Sequence, residues 1–212
     1  MIALPAALVM ASRLACSATM ASKDKDPLVP VIATVPDAVL EIRYAFDGNA
    51  FGKALYPFPA AYLRRSTALK LKKAADALRE EGLRLVIFDA YRPLSVQKKM
   101  WKEKPDRNFV ADPSRGGSNH NRGAAVDVAL AGPDGRRVPM PSEFDEFGPR
   151  AAHGAAASPK ARANVELLRR AMESAGFRAL REEWWHYDDP AAAGEPALDA
   201  TFEELEKSFK QD

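Results

Sequence analysis

The sequence predicts an α+β fold, a single domain with a central, largely antiparallel sheet flanked by helices. Its 212 residues are the size of one globular domain. Hydrophobic residues make up 47% and charged residues 28%, a balance that supplies a continuous core and argues against a disordered chain. Helical and strand patterns follow one another without regular βαβ alternation, which favours antiparallel pairing.

The N-terminal residues 1–27 are expected to precede the folded domain, which we place at residues 28–212. An apolar run followed by small residues resembles a secretory signal, so we expect export to the periplasm. Arg13 interrupts this run, and a cytoplasmic protein that starts at Met20 is the alternative. Cys16 is the only cysteine, which excludes an intramolecular disulfide and a cysteine metal cage. No later segment reaches the ~18 apolar residues of a membrane span.

Three segments carry helical patterns. Residues 60–81 are rich in helix formers, and Gly82 provides a left-handed stop. Residues 95–104 form the second helix. In the third, Ser158 and Pro159 are an N-cap and first-turn pair. The apolar stripes expected to face the core are Leu71, Ala74, Ala75 and Leu78 in the first helix and Leu168, Ala171, Met172 and Ala175 in the last.

Short apolar runs predict the strands. Residues 83–88 form a β-branched run that ends in a turn at residues 90–93. Residues 106–121 are rich in Pro, Gly, Ser and Asn, as functional loops are. They lead into a strand at residues 124–130, in which Asp127 lies between alanines on one face. The remaining strands are predicted at residues 177–180 and 184–187.

The charge balance argues against several classes of partner. With 31 basic and 29 acidic side chains the net charge is +2, so no strong field surrounds the molecule. We therefore expect neither a nucleic-acid partner nor an anionic membrane surface. A small neutral or zwitterionic substrate fits this balance, and the oligomeric state is left open.

The scarce histidines mark a candidate metal site. The chain has three histidines, and His120 and His186 lie in polar and aromatic segments beside acidic residues. Asp127 completes a ligand set of nitrogen and oxygen atoms, and catalytic zinc takes three such protein ligands and a water. Each residue also has a simpler interpretation, because a loop histidine is usually solvated and Asp127 could pair with Arg122 or Arg136.

Glu183 supplies a carboxylate that can accept a proton from a metal-activated water. Trp184 and Trp185, between it and His186, would keep water out, although ordinary core packing is the alternative. Residues three apart on an ideal strand face opposite sides. Glu183 and His186 therefore reach one metal only if the strand bends or the metal lies at its end. No role is assigned to His153.

Three motifs carry a family resemblance, and they occur in family order. Residues 88–93 read Phe-Asp-Ala-Tyr-Arg-Pro, residues 118–127 read Ser-Asn-His-Asn-Arg-Gly-Ala-Ala-Val-Asp, and residues 183–186 read Glu-Trp-Trp-His. Together they resemble the D-alanyl-D-alanine dipeptidases, the VanX-like branch of the zinc D,D-peptidases in peptidase family M15. The resemblance implies one Zn²⁺ per chain, at the sheet, with His120, Asp127 and His186 as ligands and Glu183 as general base.

The resemblance also implies how the substrate is held. Arg92 would stabilise the oxyanion that forms when water attacks the peptide carbonyl. Its alternative is a salt bridge to Asp89, and both hold if Asp89 orients Arg92. Asp145 would bind the substrate ammonium and Ser118 would lie near its carboxylate, with Tyr91 as a further substrate-binding residue.

The implied reaction is hydrolysis of the D-Ala-D-Ala dipeptide to two D-alanines. It would serve glycopeptide resistance in a cytoplasmic protein, or recycling of the released wall dipeptide as a nutrient in an exported one. One alternative is a D,D-carboxypeptidase or peptidoglycan endopeptidase acting on longer wall peptides, which Asp145 should exclude. Another is a zinc-stabilised wall-peptide binding module without turnover, which would not need Glu183 or Arg92. Residues 49–52 read Asn-Ala-Phe-Gly and depart from the family pattern, so the wall of the pocket at residues 44–52 is left unassigned.

Overall fold

The computed structural model describes residues 25–210. The predicted signal segment and Cys16 lie outside the described residues. The strands are β1 (Leu28–Pro30), β2 (Val39–Leu40), β3 (Tyr62–Arg64), β4 (Arg84–Asp89), β5 (Ala125–Ala131), β6 (Arg178–Leu180) and β7 (Glu183–Asp188). The helices are α1 (Val31–Thr34), α2 (Arg65–Glu80), α3 (Leu94–Glu103), α4 (Pro159–Ser174) and α5 (Phe202–Phe209), with 3₁₀ turns at Arg43–Ala45, Pro113–Arg115 and Asn119–Arg122.

The main sheet has five strands in the order β2-β4-β5-β7-β6. The pairs β4–β5, β5–β7 and β6–β7 are antiparallel, and only the short β2 runs parallel to its neighbour β4. Strands β1 and β3 form a separate antiparallel pair. The predicted α+β class with a largely antiparallel sheet is therefore confirmed.

Helices α2 and α4 contact each other and pack on the sheet. The apolar stripe predicted for α2 is buried throughout. Of the stripe predicted for α4 and its C-terminal cap, Leu168, Met172 and Ala175 are buried. Strand β5 is buried along its whole length, so both of its faces are covered. A carboxylate inside such a strand needs a partner, because an unpaired buried charge is costly. We therefore expect partners for the charge of Asp127 in the interior next to β5.

The first predicted helix starts too early in the sequence-based interpretation. Residues Tyr62–Arg64 are extended and pair with Leu28–Pro30, so α2 begins only at Arg65. Pairing with a distant strand overrides the local helical preference of these residues. The short helix α5 was not predicted, although Thr201 and Glu204 form a capping box at its start.

Within the part of the chain that the structure describes, no helix has the length and apolar character needed to cross a bilayer.

Candidate active site

A cavity of about 300 Å³ opens where strands β5 and β7 meet several loops. Its volume is at the lower end of the range typical for small-molecule sites. The loops contribute residues within 44–51, 104–111, 117–120 and 145–147 together with Arg92, and the strands contribute side chains from both motifs that contain histidine. The predicted site residues that line the cavity are Arg92, Ser118, His120, Asp127, Asp145, Glu183 and His186.

The three predicted metal ligands come together at the base of this cavity. Asp127 and His186 are directly paired residues on the antiparallel strands β5 and β7, so their side chains lie side by side. His120 reaches them from the 3₁₀ turn Asn119–Arg122. The ligand atoms are His120 Nε2, His186 Nδ1 and Asp127 Oδ1, with separations of 3.2 Å between the nitrogens and of 3.3 and 2.9 Å from Oδ1 to each.

These separations fit a tetrahedral metal ion. Zinc bound to nitrogen and oxygen at about 2.0–2.1 Å requires ligand atoms about 3.3 Å apart in tetrahedral geometry. The outer ring nitrogens also support this arrangement. His120 Nδ1 lies 2.6 Å from the Ala90 carbonyl oxygen, and His186 Nε2 lies 3.1 Å from Asp188 Oδ1. Since both partners are acceptors, each outer nitrogen carries a hydrogen, and the inner nitrogens can direct lone pairs at a cation.

The electrostatics of the cluster favour positive charge at the same point. Burial alone would lower the pKa of His186, but its hydrogen bonds to Asp127 and Asp188 outweigh burial and raise the pKa to about 10. Burial would raise the pKa of Asp127, yet the two histidines lower it below the ordinary value. A metal ion has to replace the proton of His186, so metal binding should tighten as the pH rises. The residues present therefore fit a divalent metal.

Glu183 and His186 both face the cavity although three positions separate them on one strand. The register between β6 and β7 shifts between Ala179 and Leu180, where Leu180 pairs with Glu183 and Ala179 with Tyr187. Residues 184–186 of β7 therefore have no paired residue on β6. This irregularity breaks the strict alternation of side chains along β7, as is required for Glu183 and His186 to line one cavity. Burial raises the pKa of Glu183 above its ordinary value, which makes the carboxylate a stronger base.

The two tryptophans between Glu183 and His186 have different environments. Trp185 lines the cavity. Trp184 is buried elsewhere, where its Nε1 donates to Ser142 Oγ at 2.9 Å. The interpretation of a water-excluding wall therefore applies to Trp185, and ordinary core packing applies to Trp184.

Arg92 is almost fully buried at the cavity wall. Its Nε and Nη2 donate to Asp89 Oδ2 at 3.2 and 2.6 Å, and its guanidinium lies 5.2 Å from the centre of the Tyr44 ring. Burial would lower the pKa of Arg92, but Asp89 outweighs it, so the pKa stays raised and the group remains a cation. Tyr56 Oη donates to the other Asp89 oxygen at 2.7 Å. The salt bridge and the orientation of Arg92 into the cavity therefore coexist.

Asp145 lines the same cavity as the three metal ligands. It has a positive φ of 60°, which is uncommon outside glycine, and Tyr44 Oη donates to its Oδ2 at 3.0 Å. Burial, and next the charge of Asp127, raise the pKa of Asp145 from 3.8 to about 7. A carboxylate held this way is poised to gain a cationic partner.

Ser118 and Tyr91 have structural partners. Ser118 Oγ accepts from the His120 backbone N–H at 3.2 Å and so caps the turn that carries the ligand, while it also lines the cavity. Tyr91 is buried and donates to the Ala200 carbonyl at 3.0 Å, and it is not among the described residues that line the cavity. Its phenol therefore belongs to the packing behind the site.

Several residues around the site were not identified from sequence. They are Tyr44 and Tyr56, which hold carboxylates, Asp188, which holds His186, and the cavity residues Lys104, Phe109 and Phe147. Asp188 follows the last motif by two positions, which was an available signal. The others come from segments whose approach depends on the fold.

Comparison with known proteins agrees with this geometry. Residues 24–208 match the family model Peptidase M15, described as D-ala-D-ala dipeptidase. The chain is 37% identical over 176 residues to a D-alanyl-D-alanine dipeptidase of Escherichia coli K12, covering 82% of this chain and 91% of that protein. It is 32% identical over 174 residues to the D-alanyl-D-alanine dipeptidase of Enterococcus faecalis V583, covering 71% and 86%.

Among solved structures, an LD-carboxypeptidase, LdcB, matches 86% of this chain and 79% of its own with a TM-score of 0.44 and 21% identity. The family model and the two dipeptidases cover most of the chain. The chain therefore belongs to the peptidase M15 family of D-alanyl-D-alanine dipeptidases and is a metallopeptidase.

Proposed function

We propose that this protein is a zinc-dependent dipeptidase that hydrolyses D-Ala-D-Ala to two molecules of D-alanine. The observation that carries the proposal is the convergence of His120, Asp127 and His186 in one small cavity that Glu183 and Arg92 also line. The dipeptidase relatives support the choice of substrate. One zinc ion per chain would be held by the two histidines and the aspartate.

Zinc at this position would supply an acidified water and a Lewis acid for the peptide carbonyl. Glu183 accepts the proton of the attacking water, since it lines the cavity and burial raises its pKa, which makes the carboxylate a stronger base. Arg92 stabilises the negative charge that develops on the carbonyl oxygen, because a fixed, buried cation needs no reorganisation during the reaction. Glu183 then gives the proton to the leaving amine.

The two ends of the dipeptide are recognised by opposite chemistry. The ammonium binds Asp145, whose half-buried carboxylate is held by Tyr44. The carboxylate lies near the N-cap hydroxyl of Ser118, where the turn Asn119–Arg122 begins. In a longer wall peptide an amide takes the place of this ammonium, so the Asp145 carboxylate would be left without a charge partner. This argues for a dipeptide over a pentapeptide.

The test measures release of D-alanine from D-Ala-D-Ala by the zinc-loaded protein, beside a wall pentapeptide that ends in D-Ala-D-Ala. Glu183→Ala should lower kcat by about 100- to 10,000-fold, the range of general-base catalysis. Glu182→Ala is the matched control, since Glu182 is the exposed neighbouring glutamate and should leave kcat unchanged.

Each other result has a distinct meaning. Cleavage of the pentapeptide in preference to the dipeptide would replace the proposal with a carboxypeptidase and remove the role of Asp145. Absence of turnover on either substrate, with zinc bound, would indicate a wall-peptide binding module.

A further inference from the structure

Gln97 is a buried amide whose two ends connect different parts of the active site. It lies in the first turn of α3 and is inaccessible to solvent. Its Oε1 accepts from Arg92 Nη1 at 2.9 Å, and its Nε2 donates to the Ala111 carbonyl at 2.7 Å. Both polar atoms of the amide are therefore satisfied inside the protein, as a buried amide requires.

The hydrogen bonds of Arg92 explain what this amide does. A guanidinium has five N–H groups in a planar fork. Nε and Nη2 each use one hydrogen on Asp89 Oδ2, and Nη1 uses one on Gln97. These bonds use three of the five hydrogens, and Arg92 lines the cavity. A substrate oxygen can be bound only by the hydrogens that remain.

Without Gln97, a single carboxylate oxygen would hold Arg92. Asp89 Oδ1 is already occupied by Tyr56 Oη and by the Ala90 backbone N–H, so it gives the guanidinium no second attachment. The Tyr44 ring restrains the face of the cation but not its rotation in the plane. Gln97 supplies the second, in-plane attachment on the opposite nitrogen.

The same amide also anchors the loop that forms one wall of the cavity. This loop leaves the C-terminal end of α3 and lines the cavity with residues 107–111. The bond to Ala111 ties its far end back to the first turn of α3. The cation and the cavity wall are thus held by one side chain.

We propose that Gln97 is a positioning residue that fixes the plane of the Arg92 guanidinium for the reaction. The inference rests on the proposed function, because it acts through the oxyanion role of Arg92. Without Gln97 the Arg92 guanidinium would be misplaced and would stabilise the transition state less. The loss of activity should therefore appear mainly in kcat. It should be smaller than the about 100- to 1,000-fold loss caused by removing a direct oxyanion donor.

The experiment is a double-mutant cycle in the zinc-loaded, full-length protein with D-Ala-D-Ala as substrate. Gln97→Met keeps a similar volume and removes both hydrogen bonds. We expect kcat to fall about 10- to 100-fold, within the range for supporting residues, while KM changes less than about threefold. In the Arg92→Ala background the same substitution should have no further effect on kcat, because the group it positions is absent.

Two further variants separate positioning from stability. Gln97→Asn keeps an amide but shortens the side chain by one methylene, so it should lower kcat like Gln97→Met even if the methionine variant folds poorly. Thr67→Val removes a buried hydrogen bond to Asp189, away from the cavity, and should lower the melting temperature without changing kcat.

The outcomes distinguish the two proposals. Two results would overturn the inference about Gln97 alone, provided that Arg92→Ala loses activity. One is an unchanged kcat in both Gln97 variants. The other is a double variant whose loss in kcat equals the product of the two single losses. Full activity in Arg92→Ala would overturn the oxyanion role in the proposed function itself.

Discussion

At the scale of single residues, Asp145 combines burial with an unfavourable backbone conformation. Its pKa of about 7 in the fold lies above the ordinary 3.8, so the folded chain keeps this proton to higher pH than the unfolded chain. The stability associated with the proton is complete below about pH 4 and is lost as the pH rises through about 7. Near and above neutral pH the ionised Asp145 carboxylate therefore lowers the free energy of unfolding.

Asp145→Asn should remove that cost and the substrate contact together. Asparagine also tolerates a positive φ well, so at pH 8 we expect a gain in stability on the order of 1 kcal/mol, and little change below pH 4. KM for D-Ala-D-Ala should rise about 10- to 100-fold, because a hydrogen bond to a charged group is lost. Thermal unfolding at both pH values and steady-state kinetics measure these effects.

Glu143→Gln is the control for this substitution, since Glu143 is an exposed neighbour that pairs with Arg137. It should change neither KM nor the pH dependence. An unchanged KM in Asp145→Asn would contradict the ammonium site.

Asp188 is the second residue whose role can be measured separately. Its Oδ1 accepts from His186 Nε2 at 3.1 Å and from Asn119 Nδ2 at 2.9 Å, so it fixes both the tautomer and the orientation of the ligand. Asp188→Ala should weaken zinc binding about 10- to 100-fold, as loss of such outer partners does. Competition with a chromophoric chelator measures the affinity. Glu182→Gln, an exposed change nearby, should have no effect, and equal affinities in Asp188→Ala and the parent protein would contradict this role.

At the scale of secondary-structure elements, helix α5 is buried most deeply at its N-terminal end. Phe202 is buried against Tyr56, Phe58 and Tyr62, with ring centres 4.7, 6.0 and 5.5 Å away. Tyr56 in turn holds Asp89, so the helix supports the arginine site through an aromatic contact.

Phe202→Ala should lower the free energy of unfolding by about 3–5 kcal/mol, the usual cost of emptying a buried aromatic position. Phe209→Ala is the matched control in the same helix, because Phe209 is 38% exposed and stacks on Tyr62 alone. It should cost less than about 1 kcal/mol. Urea unfolding monitored by circular dichroism gives both values. Similar losses for the two variants would mean that α5 does not depend on its N-terminal end.

At the scale of the whole molecule, the proposed zinc ion joins strands β5 and β7 with the 3₁₀ turn Asn119–Arg122. A ligand that binds only the folded state stabilises it by about 4 kcal/mol at a thousandfold excess over its dissociation constant. For a chain of this size that corresponds to a melting temperature about 10 °C higher. Removal of zinc with a chelator should therefore lower the melting temperature by this amount, and added zinc should restore it.

Calorimetry with and without chelator measures the shift. His120→Ala is the control, since a protein that lacks one ligand should respond little to the chelator. If the parent protein melted at the same temperature in both conditions, the three groups would not form a tight metal site.

Local patterns were sufficient to identify most elements. The helical stripes of α2 and α4 and the buried runs of β4 and β5 depend on side-chain periodicity within one segment, and periodicity is a property of the sequence. Element ends were less accurate. Tyr62–Arg64 look helical by composition, but they are extended because they pair with Leu28–Pro30. Pairing partners that lie far apart in the chain leave no local signal.

The sequence by itself determined which residues provide the chemistry: two histidines, an aspartate, a glutamate and an arginine in motifs of recognisable type. Only the tertiary structure decided how they meet. Pairing across β5 and β7 places Asp127 beside His186, an irregular register between β6 and β7 lets Glu183 line the same cavity, and a carboxylate and an amide hold Arg92. The physical reason is that donor atoms within about 3 Å of each other come from segments far apart in the chain, and only packing and strand register set such distances.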